Sequence, residues 1–354
     1  MSNPESSFGS KIEFVATSTL EQALGVDGQI LRVNHFTDIP TLTTLFEPIA
    51  HELTMPALTD SSYEVCYVDV EDVQDVVVDK IGPVKVARLG DVALLSMSMS
   101  NYADYAASDL AVASYEAYGL LFRTVRQQKL GQFLRVWNYI PHILEELNVV
   151  EIDRDDRELY RQFNAGRYDA WQQFGDCDAN NYPICPAASG VGCLGGPLIV
   201  EALVSQSPVQ YVENPRQIPA YHYPREYGTK PPYFSRGTLR SDKNGSDFYI
   251  SGTASIIGSK TVHTNNLDAQ IDETFHNIEV LIGAANLKKY EHPGFTLEDI
   301  SYLRVYVKRA VDFQKIREQI SSILGDEIPV IYANNAICRP DLLLEIEGFA
   351  RKIL

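Results

Sequence analysis

Residues 127–140, QQKLGQFLRVWNYI, and residues 297–310, LEDISYLRVYVKRA, are two versions of one segment. Leu134-Arg135-Val136-Trp137 in the first corresponds to Leu303-Arg304-Val305-Tyr306 in the second. Each follows a helical stretch, one from about Ser114 and one from about Leu267 to Leu287, and each leads into a further helix, near Asp155–Phe174 and Val311–Leu324. Each half then closes on a strand with an embedded glutamate: Glu201 in PLIVEALV and Glu345 in DLLLEIEGFA. Helix, strand, helix, strand, given twice at this length, is a duplicated domain and not a solenoid. The fold class expected is α+β.

Upstream of the first copy, YEVCYVDVEDVQDVVV (63–78) and KVARLGDVALLSMSM (85–99) alternate apolar and polar residues as strands do, and they are expected to open the first repeat. Residues 1–12 are polar and expected to be disordered. The chain therefore divides into a tail (1–12), an N-terminal domain (13–205) and a C-terminal domain (206–354). Two domains also suit 354 residues, more than one core usually serves.

A net charge of −17 argues against nucleic acid or an anionic membrane surface as partner. No run of about 18 apolar residues is present, so nothing is expected to span a bilayer. The start MSNPESSFGSKIEF has neither a basic nor an apolar leader region, and five cysteines without a C-x-x-C pair suit reduced thiols, so the expected location is cytoplasmic. The seven histidines form no i,i+4 pair or H-E-x-x-H, so no metal site is expected. Asn244-Gly245-Ser246 reads as a hairpin turn. Gly190-Val191-Gly192-Cys193-Leu194-Gly195 matches G-x-G-x-x-G but lacks the preceding strand and following helix of a dinucleotide site; it reads as a glycine-rich loop close to a ligand.

Two arginines and two tyrosines share one chemical setting. Tyr160 and Arg167 lie seven apart in LYRQFNAGR, on one face of a helix, and Tyr223 and Arg236 lie in NPRQIPAYHYPREYGTKPPYFSRG (214–237). A guanidinium binds a carboxylate bidentately and a phenol adds a hydrogen bond, so two such pairs suit a small dicarboxylate. Pattern alone also allows a solvated helix face for the first pair. Five prolines between Asn214 and Arg236 exclude helix and central strand, leaving an extended loop, 211–240, that is either a linker or an active-site wall. Arg216 and Arg225 in it serve equally as loop anchors. In DLLLEIEG, Leu342, Leu344 and Ile346 point one way and Leu343, Glu345 and Glu347 the other, a pattern that by itself turns Glu345 to solvent. Cys338, seven residues earlier, reads on its own as a small buried apolar residue.

From Ser251 onward the chain resembles the YjgF/Rid family, in LDAQIDETFHNIEVLI, DISYLRVYVKRAVDF and LLLEIEGFA. That resemblance implies two tandem YjgF/Rid-like domains, each a mixed sheet backed by two helices. Rid deaminases carry an arginine after the proline opening the penultimate strand; EIPVIYANN has none, so imine deamination is not expected. The stretch 214–237 resembles the chorismatases, which remove pyruvate from chorismate, a dicarboxylate. The resemblance implies Tyr160, Arg167, Tyr223 and Arg236 as substrate-binding residues between the two domains and Glu345 as the catalytic acid. It implies no cofactor. Cys338 with Gly252 resembles the group of chorismatases that forms 3-hydroxybenzoate; other groups give 4-hydroxybenzoate or a dihydroxycyclohexadiene acid. A non-catalytic ligand-binding protein on the same fold is the reading from another class. Rid proteins are usually trimers, but duplication lets one chain supply contacts that otherwise need neighbours, so of a monomer and a Rid-like trimer, both left open by the sequence, the monomer is favoured.

Overall fold

The computed structural model describes residues 11–26, 28–37, 49–69, 76–99, 108–146, 156–242 and 245–353. They form three large sheets, not two, and one separate two-stranded hairpin. The first is built by β1 (Lys11–Thr17), α1 (Leu20–Leu24), β2 (Gln29–Phe36), β3 (Ile49–Leu53) and β4 (Tyr63–Asp69), in the order β1-β4-β2-β3. The second comprises β5 (Val77–Ile81), β6 (Val84–Leu89), β7 (Val92–Met99), α2 (Ser108–Gln127), β8 (Gln132–Pro141), α3 (Leu159–Phe174), β9 (Ala187–Cys193) and β10 (Leu198–Ser205). The third runs through β11 (Val209–Val212), β12 (Gly237–Asp242), β13 (Gly245–Thr253), a small hairpin of β14 (Ile256–Ile257) and β15 (Lys260–Thr261), α4 (Leu267–Ile282), α5 (Ala284–Leu287), β16 (Ile300–Val307), α6 (Phe313–Leu324), β17 (Val330–Asn334) and β18 (Leu344–Ile353).

The two six-stranded sheets have the same topology, β5-β6-β7-β10-β8-β9 and β11-β12-β13-β18-β16-β17, and each ends in a parallel pair, β8 with β9 and β16 with β17. This is the duplicated mixed sheet expected from the sequence. The first sheet repeats the last four positions of that order, and β2 pairs β3 in parallel. It is a third, shortened copy. Its own Leu31-Arg32-Val33 stands on β2 where Leu134-Arg135-Val136 stands on β8 and Leu303-Arg304-Val305 on β16.

The region 13–205 thus holds two sheets: 63–69 closes the first, and 77–99 opens the second. Lys11 and Ile12, expected in a disordered tail, begin β1, where Ile12 is fully buried; residues 1–10 lie outside the described residues. An apolar alternation is enough for Ile12 to add a rung opposite Val68. Gly190 to Cys193 are not a loop but the end of β9, paired in parallel with β8, so the glycine motif sits inside a strand. Asp242 faces Gly245 across the β12–β13 ladder, while Asn244 of the expected turn lies outside the described residues.

Every residue of β10 is buried, since helices cover one face of its sheet and the other sheets cover the opposite face. Three sheet–helix cores result, containing Val65 and Ala23, Val200 and Leu121, and Ile346 and Ile278. A fourth core, shared by all three sheets, contains Phe14, Trp137 and Phe349. α3 lies tight on α2 because Gly166 has no side chain: a Cβ there would fall 1.9 Å from the Ala111 carbonyl oxygen.

Within the shared core six charges alternate. Glu201 accepts Arg32 Nη1 at 2.7 Å, and Arg32 also binds Glu64. Glu64 accepts Arg304 Nη2 at 2.5 Å, Arg304 Nη1 lies 3.0 Å from Glu347, and Glu347 accepts Arg135 Nη2 at 2.8 Å. All six side chains are buried. Burial opposes the charge on Glu64, but Arg304 and Arg32 hold its carboxyl down at about 2. No helix among the described residues is long and apolar enough to cross a membrane.

Candidate active site

A cavity of about 580 Å³ opens where the second and third sheets meet. α3 contributes Tyr160, β13 contributes Gly252, the segment between β17 and β18 contributes Cys338 and Arg339, and β18 contributes Glu345. The proline-rich loop supplies Tyr223, Phe234 and Arg236. Six of the seven residues expected at the site therefore share one wall system, and its size suits a small ligand.

Glu345 is 4% exposed. The face of β18 expected to meet solvent is covered by the other sheets, because a strand's polar face is dry whenever a second sheet packs over it. Burial and the neighbouring Glu347 push the Glu345 carboxyl up to about 8, against the opposing pull of Arg135, Cys338 and Arg236. At neutral pH this group keeps its proton. The Cys338 thiol donates to Glu345 Oε2 at 3.7 Å, and burial followed by the Glu345 charge pushes the thiol well up, so Cys338 stays a neutral donor. Gly252 makes the room: a Cβ on it would lie 2.0 Å from Glu345 Oε1.

The loop is fastened at both ends of its path. Asn214 and Arg216 bind Asn277 on α4, with Arg216 also 2.6 Å from Glu273. Thr229 is held by Asp156 through its amide (3.1 Å) and hydroxyl (2.6 Å), and Lys230 pairs with Asp169 on α3 at 2.5 Å. Arg216 is thus an anchor, and the stretch is a clamped wall, its φ angles further limited by proline. Arg236 is 4% exposed; its Nη2 donates to Tyr223 Oη at 2.7 Å and to the Ile218 carbonyl at 3.0 Å. Its Nε is buried without a hydrogen-bond partner. Burial works against the Arg236 charge, but Tyr223 and Glu213 sustain it. Glu213 itself is pushed up to about 7 by burial, so near neutrality it only partly offsets that charge.

Arg167 is placed differently from the others. It is 2% exposed and not on the cavity wall. Its guanidinium lies over Phe163 (5.2 Å) and Phe234 (6.0 Å), donates to Asn164 at 2.7 Å and bonds Tyr118. It stands one layer behind Phe234 and lends positive charge near Tyr160. Two arginines join Arg236 on the wall, Arg161 and Arg339, and sequence reasoning passed over both; of these Arg339 lies against Tyr223. Its guanidinium covers Tyr227 at 4.1 Å and Tyr223 at 5.4 Å, and Nη1 donates to the Ser259 carbonyl at 2.8 Å. Its only signal in the sequence is its place next to Cys338. The cavity wall carries Arg161, Arg236, Lys260 and Arg339 along with Glu158, Glu226 and Asp341. Arg236 and Arg339 around Tyr223, near the protonated Glu345 carboxyl, form the part of it that can bind an anion and offer it a proton.

The chain is similar to known proteins over most of its length. Residues 71–204 match the family profile described as chorismatase FkbO/Hyg5-like, N-terminal. A 3-hydroxybenzoate synthase of Streptomyces hygroscopicus is 34% identical over 242 residues, covering 67% of this chain and 68% of the relative. A chorismatase of Streptomyces rapamycinicus is 34% identical over 248 residues, 69% of this chain and 70% of the relative. A crystal structure of a chorismatase superposes with a TM-score of 0.82 at 28% identity, over 97% of this chain and 100% of that one. With the extent of the sequence match and the shared architecture taken together, the chain belongs to the chorismatase family.

Proposed function

We propose that this protein is an enzyme that removes pyruvate from chorismate, with Glu345 as the general acid and 3-hydroxybenzoate as the main aromatic product. The observation that carries the reading is the buried Glu345 carboxyl on a cavity wall, protonated at neutral pH and facing the Arg236 guanidinium of the loop. Glu345 delivers its proton to the methylene carbon of the enolpyruvyl group. The π pair forms the new C–H bond, and positive charge develops at the ether-bearing carbon as an oxocarbenium centre. On the aromatic route the ring carbon–oxygen bond then breaks with its electron pair passing to oxygen, which becomes the keto oxygen of pyruvate. The neighbouring ring hydroxyl oxygen closes onto the carbon left behind, and its proton returns to the Glu345 carboxylate before the ring aromatises. On the hydrolytic route water adds to the oxocarbenium carbon and its spare proton returns to Glu345. The bond between that carbon and the ether oxygen then breaks, leaving the oxygen on the ring as a hydroxyl and that of water in pyruvate. 3-Hydroxybenzoate plus pyruvate contain the atoms of chorismate; the dihydroxycyclohexadiene acid plus pyruvate contain those of chorismate and one water. A wall that keeps water out therefore favours the aromatic route.

Arg236, with Tyr223, holds one substrate carboxylate, and Tyr160 bonds the substrate from the α3 side. Arg167 supports that side from behind Phe234. Fixing the substrate's orientation and offsetting its charge lower the barrier through positioning and preorganised electrostatics. The support for Cys338 and Gly252 as determinants of the product is their contact with the Glu345 carboxyl. Incubation of the pure protein with chorismate, a coupled assay for pyruvate and chromatography of the ring product test the reading. Glu345→Gln, near-isosteric but unable to donate a carboxylic proton, is expected to lose at least about a hundredfold in rate while still binding. Pyruvate release at the wild-type rate by that variant rules out the role given to Glu345.

A further inference from the structure

Three glutamates occupy one equivalent position in the three sheets. Glu64 faces Asn34, Glu201 faces Trp137 and Glu345 faces Tyr306, and each of those partners directly follows a Leu-Arg-Val. In the first two copies the glutamate is neutralised by arginine: Glu64 by Arg32 and Arg304, Glu201 by Arg32. Glu345 alone of the three makes no salt bridge among the described residues. The third sheet differs by carrying a second glutamate two residues on, on the same face and directly opposite Arg304 in the ladder.

We propose that Glu347 is a positioning residue that captures Arg135 and Arg304, and so keeps the Glu345 carboxyl out of an ion pair and available to the cavity beside Cys338. The inference rests on the proposed role of Glu345 and deepens it. Glu347 accepts Arg135 Nη2 at 2.8 Å and Trp137 Nε1 at 3.0 Å, and lies 3.0 Å from Arg304 Nη1. Arg135 is otherwise well placed to reach Glu345. Its Nη2 donates to Ser189 Oγ at 3.0 Å, and Ser189 borders the same space at Gly252 that Glu345 Oε1 fills. Trp137 stacks against Arg135, with the guanidinium carbon 5.3 Å from the ring centre, and fixes it toward Glu347.

The groups facing Glu345 are Glu347 on its own strand, Arg135 from β8, Tyr306 from β16, Cys338, Arg236 from the loop and Tyr160 from α3. Among these, the Glu347 charge favours the protonated carboxyl, while Arg135 and Arg236 favour the ionised one. Removing the Glu347 charge takes away the first influence and leaves Arg135 without its carboxylate, so both changes act in the same direction. Removing Arg135 acts in the opposite one.

The test is the carboxyl titration of Glu345 in the full chain, followed by carbon-13 NMR of glutamate-labelled protein and identified by the signal lost in Glu345→Gln. It needs no substrate. Glu347→Gln is expected to move that titration down by at least about one pH unit, the usual effect of a close opposite charge, and Arg135→Met to move it up. The high-pH limb of pyruvate release should shift with it in each variant, with activity regained in Glu347→Gln at lower pH; a merely structural role would depress activity equally at every pH. An unshifted titration in Glu347→Gln overturns the proposal, and if that variant does not fold, an unshifted or lowered titration in Arg135→Met does. Shifts as expected in a protein that forms no pyruvate from chorismate would leave the positioning role standing and remove the catalytic reading.

Discussion

The Cys338 thiol donates to Glu345 Oε2 across 3.7 Å, seven residues away in sequence and on the same cavity wall. This puts a polarisable, neutral group directly beside the proposed proton donor. Cys338→Ala removes the contact and opens space for water. It is expected to shift the ring product from 3-hydroxybenzoate toward the dihydroxycyclohexadiene acid, with pyruvate release largely kept. Chromatography and mass of the ring product check this, since the dihydroxycyclohexadiene acid carries the elements of one water more than 3-hydroxybenzoate. An unchanged product mixture reduces Cys338 to a packing residue.

In the proposed role Glu345 works in its protonated form, and burial with the neighbouring Glu347 pushes its carboxyl up to about 8. Pyruvate release measured as kcat/KM should therefore hold steady below that value and fall as pH rises through it. A profile that instead rises with pH across the same range would mean the ionised carboxylate is the working form.

Gly252→Ala tests the space around the acid. The added Cβ would fall 2.0 Å from Oε1 and 2.8 Å from Cδ of Glu345, so the carboxyl must move by roughly an ångström, a displacement that costs on the order of a hundredfold in rate. β13 is otherwise undisturbed, so the melting temperature should change little while kcat falls. Wild-type turnover in this variant would show that the carboxyl has room to give.

Arg236→Ala removes a buried charged donor whose Nε has no protein partner. Loss of one such bond costs about 1.5–3 kcal/mol, a rise of roughly tenfold to a hundredfold in KM, and lysine should restore only part of it because an ammonium lacks the fork. Arg167→Ala, one layer back, should lower stability as well as raise KM. Calorimetry with chorismate separates the two; normal affinity in both variants removes arginine anchoring from the mechanism.

Glu64 links the first sheet to the third through Arg304, and its carboxyl sits at about 2, below the ordinary 4.5. A depressed carboxylate contributes stability that is fully present above its unfolded value and lost as pH falls through the folded one. Acid unfolding is expected between about 4.5 and 2. Glu64→Gln leaves Arg32 and Arg304 with less compensation in a dry core and should cost about 3–5 kcal/mol by denaturant titration. A loss below about 1 kcal/mol would mean water reaches this network.

Much of the molecule could be read along the chain because its signals are local. The two Leu-Arg-Val strands with flanking helices announced a duplicated mixed sheet, and the proline-rich aromatic stretch announced an extended loop, though not whether it was a linker or a wall. The third copy was hidden although Leu31-Arg32-Val33 was in plain view, since the helix that precedes its Leu-Arg-Val strand is the five residues of α1, against twenty in α2 and sixteen in α4, too short to announce itself by periodicity. Glu345 illustrates the other limit. Alternation places it on the opposite face of β18 from Leu344 and Ile346, but whether that face is wet depends on what packs against it. Only the meeting of three sheets buries it, gathers the arginines, and sets Glu347 rather than Glu345 to receive them. In the same way Arg167 and Arg339 look alike in sequence, and it is the thickness of one phenylalanine, Phe234, that puts the first behind the wall and leaves the second on it. Chain-local chemistry determined which residue types were present and their spacing; burial and charge, which arise from contacts between distant segments, decided which of them can hold a proton or bind an anion.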